Sequence, residues 1–277
     1  MEKKLENKGK LAVISCTHGN LPALKAVLDD INAKGIKKVI HLGDSVGYGP
    51  EPEETVALLR ERQIASIQGC WDKSIGASDE DCGCDFVNEQ EAERGRELFA
   101  WTYERTSTAT RTYLRELPEQ IRYNAPCGQV LFVHGSPRSA NEYLSRDLDP
   151  LVLLERTHTA HCDILVCGHT HVPFIQKVSG FVALERPHPH KEETSITEML
   201  VDPKYVFNAG SVGEPLHGPE ATYMIMDLDN GYAEIVYLPY DVEETLRRME
   251  KAYVPSYVIE RFRRGDDITQ KNRSCQC

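Results

Sequence analysis

The opening quarter of the chain commits it to a parallel sheet. Apolar runs at Leu11–Ile14, Lys38–Leu42 and Ile64–Ile67 are short and nearly continuous, as strands buried on both faces are. Between them, Leu21–Ala33 places Leu21, Leu24, Val27, Leu28 and Ile31 at helical spacing, and Glu53–Arg62 reads as a second helix. This strand–helix alternation implies parallel strands whose carboxyl ends share one edge. That edge is where α/β proteins place their ligands.

The rest of the chain changes character. Lys73 to Asp85 is polar and turn-rich, and Glu89–Glu116 reads as two covering helices. Strand-like runs then follow at Gln120–Tyr123, Gln129–Val133, Asp163–Val166, Pro173–Lys177, Tyr205–Ala209, Thr222–Asp227 and Ala233–Leu238. A βαβ half followed by a strand-rich half predicts an α/β protein of two mixed sheets packed together with helices outside. One domain is expected over 1–262, with a lid segment near 73–116 and an exposed loop or inserted hairpin near 185–204. Residues 263–277 read as a loose, cysteine-containing tail.

A net charge of -11 over 277 residues argues against a general nucleic-acid or membrane-surface binder. No apolar stretch approaches the roughly 18 residues of a membrane span. The charged N-terminal stretch, Met1 to Lys8, lacks the apolar core of a signal peptide. A cytoplasmic location is expected, and there nine cysteines point to metal or redox chemistry more than to disulfides.

Five strand ends share one design, an apolar run followed by residues able to bind metal. They are Cys16-x-His18, Gly43-Asp44, Gly69-Cys70, Val133-His134-Gly135 and Gly168-His169-Thr170-His171. Each alone is weak, because Gly-Asp is commonly a turn and a single histidine is commonly structural. His169 and His171 are stronger, since strand alternation turns both rings to one face. Five in order make a metal centre the expectation.

This ordered set resembles the calcineurin-like metallophosphoesterases, whose pattern is Asp-x-His, Gly-Asp, Gly-Asn-x-Asp, His and Gly-His-x-His. The resemblance extends through Asn208-Ala209-Gly210-Ser211-Val212-Gly213 to Asp241, and the closing residues Pro239-Tyr240-Asp241-Val242-Glu243 also look like the small bacterial and archaeal phosphodiesterase branch. It implies a four-layer α/β/β/α sandwich and a dinuclear hydrolase of phosphodiesters or phosphomonoesters. By position, one metal takes Cys16, His18, Asp44 and His171, and the other takes Asp44, Cys70, His134 and His169. Asp44 bridges, because its two oxygens can hold cations about 3.5–4 Å apart. A hydroxide between the metals is implied as nucleophile. Asp44 and His134 belong to the implied catalytic set, with Asn20 as a phosphate contact at a helix start.

The sequence departs from the family pattern at three positions. Residue 16 is Cys in place of Asp, residue 70 is Cys in place of Asn, and Trp71 stands where many relatives carry a catalytic histidine. Each metal thus trades one oxygen ligand for sulfur. Thiolate favours iron or zinc, with manganese possible, as two divalent or mixed-valence ions. It also donates more charge, so each metal becomes a poorer Lewis acid. The implied substrate is a small phosphorylated or related molecule. Two alternatives remain open: a di-iron or mixed-metal enzyme of redox or sulfur chemistry, and a non-catalytic metal or redox sensor. Cys82 and Cys84, in the lid, suit a soft ion, a redox couple or a tight turn, with a structural or redox role favoured over essential ligation. Cys275 and Cys277 end the tail. Cys127, Cys162 and Cys167 read as ordinary core or loop residues, and His188 and His190 as solvent-exposed.

Overall fold

The computed structural model describes residues 9–84, 88–179, 181–186, 195–200, 203–216 and 218–264. The first half runs β1 (Lys10–Ile14), α1 (Leu21–Ala33), β2 (Lys38–His41), α2 (Pro52–Glu61), β3 (Ala65–Ser66) and α3 (Cys70–Ala77). It continues through α4 (Glu89–Glu104) and α5 (Thr108–Glu116). The second half begins with β4 (Gln120–Ala125), β5 (Gly128–Val133), α6 (Pro150–Thr159), β6 (Ile164–Cys167) and β7 (Phe174–Val178). A hairpin of β8 (Phe181–Arg186) and β9 (Ser195–Leu200) follows, then β10 (Lys204–Asn208), β11 (Ala221–Asp227) and β12 (Tyr232–Leu238). Two helices close the described chain, α7 (Val242–Lys251) and α8 (Ser256–Arg264).

The strands make two mixed five-stranded sheets. One has the order β12-β11-β1-β2-β3, with β1, β2 and β3 parallel and β11 antiparallel to β1. The other has the order β4-β5-β6-β10-β7, with β5, β6 and β10 parallel. Alternation along β1 shows how the layers form. Leu11 and Val13 enter a core shared with Phe132, Val166, Phe207 and Met224, while Ala12 and Ile14 meet Leu24, Val27 and Ile31 of α1. Both faces of β1 are therefore buried, which is why it reads as an unbroken apolar run. On the far side, Leu153 and Leu154 of α6 cover Leu131, Leu165 and Val206. The result is the four-layer α/β/β/α sandwich. Each fully buried aliphatic side chain in it contributes roughly 1.5–3 kcal/mol.

Several elements depart from the sequence expectation. The polar stretch after Asp72 begins as α3, whose start is fixed by the Asp72 carboxylate accepting from Gly69 N. Helices α6, α7 and α8 were not expected either. Helix α8 runs to Arg264, past the proposed boundary of the tail. The hairpin begins at Phe181, earlier than the proposed insertion. Cys275, Cys277, His188 and His190 lie outside the described residues. No helix among the described residues is long and apolar enough to cross a membrane.

Candidate metal centre

The parallel strands deliver their carboxyl ends to one edge, and the loops there are held in unusual conformations. Cys16, His18, Asp44, His169 and His171 all have positive φ, between 45° and 60°. Left-handed backbone at a residue other than glycine costs on the order of 1–3 kcal/mol and persists only where its surroundings enforce it. Hydrogen bonds supply that enforcement. Cys16 N donates to Gly43 O at 3.0 Å and His18 N to Asp44 O at 2.9 Å, locking the first loop against the second. Gly213 N donates to Cys16 O, and Ser211 Oγ donates to the same carbonyl at 3.0 Å. Asn208 Nδ2 donates to Gly168 O at 2.6 Å and to Thr170 Oγ1 at 3.0 Å, which braces the two-histidine loop.

Asp72 organises the Asp44 loop. Its carboxylate accepts from Asp44 N at 2.7 Å, Ser45 N at 2.8 Å and Gly69 N at 3.1 Å. Burial and the charge of Asp44 push its acid up to about 6, against the pull of these backbone donors. Asp44 Oδ1 in turn accepts from Trp71 N at 2.9 Å, which turns Oδ2 toward the histidines. Gly69 is required at this point. A Cβ there would stand 2.1 Å from Asp44 Oδ1.

Seven side chains meet at the sheet edge in two groups, Asp44 with Cys70, His134 and His169, and Cys16 with His18 and His171. Within each group the donor atoms lie within 4.8 Å of one another, and every residue is at most 8% exposed. Asp44 Oδ2 stands 3.2 Å from His134 Nε2, 3.4 Å from Cys70 Sγ and 3.7 Å from His18 Nε2, so it faces both groups. Cys70 Sγ is 3.7 Å from His169 Nδ1 and 3.8 Å from His134 Nε2.

The imidazoles are oriented from behind. His18 Nδ1 lies 2.9 Å from Val46 O, His134 Nδ1 2.7 Å from Leu42 O, and His171 Nδ1 3.0 Å from Glu214 O. Each Nδ1–H is thereby committed to a carbonyl, which leaves the Nε2 lone pair for the centre. His18 Nε2 and His171 Nε2 face each other at 3.1 Å. Two lone pairs at that separation need a cation between them, either a proton or a metal. The donor set therefore fits metal ions, and its mixture of imidazole, carboxylate and thiol suits transition metals.

Without metal, protons take the cation's place. Burial works against charge on His134, but Asp44 outweighs it and lifts the imidazole to about 10. His171 rises to about 10 as well, because Cys16 and Glu214 overcome its burial. Cys16 falls to about 5 despite complete burial, through its pairing with His171 and His18. Cys70 shifts the opposite way, raised by burial and by the neighbouring Asp44. Burial opposes ionisation of Asp44 too, yet His134, His18 and His169 hold it well below the usual carboxylate range. His169 drops to about 3 through burial and the charge of His134. The two cysteines are thus unlike: Cys16 is a thiolate already, and Cys70 needs a metal to displace its proton.

Sequence reasoning missed several supporting residues. Glu214 Oε2 lies 3.2 Å from His171 Nδ1, and Glu214 Oε1 pairs with Arg261 of α8 at 2.7 Å. Arg261 also lies over the Tyr48 ring, whose edge meets His18 at a centroid distance of 4.8 Å. The Tyr143 ring packs on His169 with centroids 4.2 Å apart and planes tilted by 37°. Asn20 corrects an expectation outright. Its Oδ1 caps Ala23 N and accepts from Thr245 Oγ1, and its Nδ2 donates to Gly213 O and Tyr240 OH. All its hydrogen-bonding capacity is used inside the fold, so it is a helix cap and not a phosphate contact. Trp71 is buried between Tyr48 and Phe99. Cys162 and Cys167 are core residues as expected, Cys127 is half-buried, and the seven described cysteines are free thiols.

A polar cavity of about 370 Å³ opens beside Cys70 and His134. Lys73 and Arg138 line it, and Cys82, Gly83 and Asn141 form part of its wall.

Comparison with known proteins agrees with this geometry. The profile of the calcineurin-like phosphoesterase superfamily domain matches residues 10–231. An uncharacterized protein of Methanocaldococcus jannaschii is 33% identical over 258 residues, covering 92% of this chain and 98% of its own. A metallophosphoesterase from Sphaerobacter thermophilus superposes with a TM-score of 0.69 at 26% identity, covering 94% of this chain and 100% of that one. A hypothetical protein from Pyrococcus horikoshii shares the fold, with a TM-score of 0.70 at 20% identity over 91% of this chain and 97% of its own.

Proposed function

The chain belongs to the calcineurin-like phosphoesterase superfamily, and from that premise we propose a dinuclear, metal-dependent phosphoesterase with one thiolate at each metal position. The observation that carries this reading is Asp44 Oδ2 set between the two donor groups, facing His134 at 3.2 Å and His18 at 3.7 Å. In this reading Asp44 holds both ions. Cys70, His134 and His169 complete one position, and Cys16, His18 and His171 the other. When bound, such ions supply Lewis acidity to a phosphoryl oxygen and lower the pKa of coordinated water. The thiolates favour iron or zinc over harder ions.

The chain's own residues decide what the centre does with a substrate. The cavity beside Cys70 and His134 admits a small phosphorylated molecule, and its wall mixes Lys73 and Arg138 with Asp79 and Glu119, Lys73 being paired with Glu119 at 3.0 Å. Trp71 cannot donate a proton to a leaving group near neutral pH, so esters with activated leaving groups are preferred. This reading sets the chain in a reducing, cytoplasmic compartment, where the seven described cysteines stay free thiols.

The test is metal analysis of protein purified without added metal, followed by assay on aryl phosphodiesters and aryl phosphomonoesters. About two ions per chain with metal-dependent hydrolysis is expected. Protein that binds metal and hydrolyses neither ester would overturn the reading.

A further inference from the structure

The segment after helix α3 brings a third thiol up to Cys70. Helix α3 ends at Ser78, which is left-handed, and the chain then turns at Gly83, with φ of +63°. Asp81 Oδ1 accepts from Gly83 N at 2.8 Å, and Asn141 Nδ2 donates to Gly83 O, so the turn is pinned from both sides. The result sets Cys84 Sγ 3.7 Å from Cys70 Sγ, beside the group of Asp44, Cys70, His134 and His169 but outside it, so the thiol must swing inward to join those donors.

The geometry points to Cys84 as an additional ligand of the ion held by Asp44, Cys70, His134 and His169. This inference rests on the dinuclear reading above. Two thiolates bound at about 2.3 Å to one ion stand roughly 3.3–4.0 Å apart across the 90–120° angles of a five-ligand shell. The observed 3.7 Å matches that separation and is far from the roughly 2.05 Å of a disulfide. Cys82 is 3% exposed and belongs to the packed cluster around Trp71 and Phe99, and Cys84 is partly buried against that same cluster. Of the Cys-x-Cys pair it is Cys84 whose sulfur meets Cys70, while Cys82 is the deeper anchor of the turn.

One further element follows. Gly83 and Cys82 also wall the cavity beside Cys70, so an ion bound to Cys84 holds the wall of the substrate cavity in place. Metal occupancy and cavity shape are then one property.

X-ray absorption at the zinc edge tests this on the full chain, comparing wild type, Cys84→Ser and Cys82→Ser, each zinc-loaded to the same content. Wild type and Cys82→Ser are expected to show about 1.5 sulfur neighbours per ion, averaged over both positions, and Cys84→Ser about 1.0. Cobalt-loaded Cys84→Ser should likewise lose about a third of the thiolate-to-metal absorption. About 1.0 sulfur in all three proteins would overturn the role of Cys84 and leave the thiolate-modified centre standing. A Cys70–Cys84 disulfide, found by non-reducing mass spectrometry of the metal-loaded protein, would also overturn it. Absence of sulfur scattering, or of bound metal, in wild type would remove both this inference and the reading beneath it.

Discussion

His134 is held at both ends, with Nε2 3.2 Å from Asp44 Oδ2 and Nδ1 2.7 Å from Leu42 O. The ring cannot turn away from the centre, and in the metal-free protein it carries a proton to about pH 10.

Metal binding should therefore release protons. His134 and His171 are lifted to about 10 and Cys70 is also raised, so near pH 7 all three are protonated in the metal-free chain. An ion must displace these protons, so affinity rises with pH and is lost as pH falls. Calorimetry of zinc binding in buffers of different ionisation enthalpy should give about four protons released at pH 7, these three and that of Cys84, whose thiol is raised by its contact with Cys70 and by burial. A buffer-independent heat would contradict this assignment.

Asp44→Asn should lower metal content more than His134→Asn. Asp44 faces both donor groups, while His134 faces one. With both proteins purified in parallel, the first is expected to lose both ions and the second to keep one. Equal losses would count against bridging.

Cys16→Asp combined with Cys70→Asn should give an oxygen-rich centre that accepts manganese. Harder ligands leave the ions more acidic, so hydrolysis of an activated aryl phosphodiester should rise by about tenfold or more. One assay on both proteins, with manganese and with zinc, decides it. A faster native protein would refute the argument from thiolate donation.

Glu214→Gln should weaken binding at the His171 position selectively. The carboxylate lies 3.2 Å from His171 Nδ1 and is held by Arg261. Loss of such a partner costs about 10–100-fold in metal affinity. Competition with a chelator should show one of two ions released early, and simultaneous loss of both would argue against a local effect.

What the sequence made legible followed from periodicity and punctuation. The β1, β2 and β6 runs are continuous because both faces are buried, and each stops on a ligand-type residue at the sheet edge. The residues that hold those ligands were hidden for a different reason. Asp72, Glu214 and Arg261 act across sequence separations of 28, 43 and 47 residues, on partners that no local pattern connects. Asn20 misled because a helix N-terminus has two uses, anion binding and self-capping, and only the packing of Gly213, Tyr240 and Thr245 around it decides between them. Helix α3 was obscured by its brevity and polarity, although the Asp72 cap was visible in hindsight as the residue that both starts the helix and ties down the Asp44 loop.

The origin of the donors has a consequence for the lifetime of the protein. Cys16, His18, Asp44 and Cys70 follow strands of one sheet, whereas His134, His169 and His171 follow strands of the other. An ion bound in either group would consequently rivet the two halves of the sandwich at the edge where the loops are held in left-handed backbone. Ligand present at about 100 times its dissociation constant stabilises a fold by about 2.7 kcal/mol per site, and removing it returns the sheets to noncovalent packing alone. Metal scarcity would then do more than silence the enzyme: chains left empty would open more often and be the first cleared by proteolysis, so that the amount of protein in a cell tracks the supply of its metal.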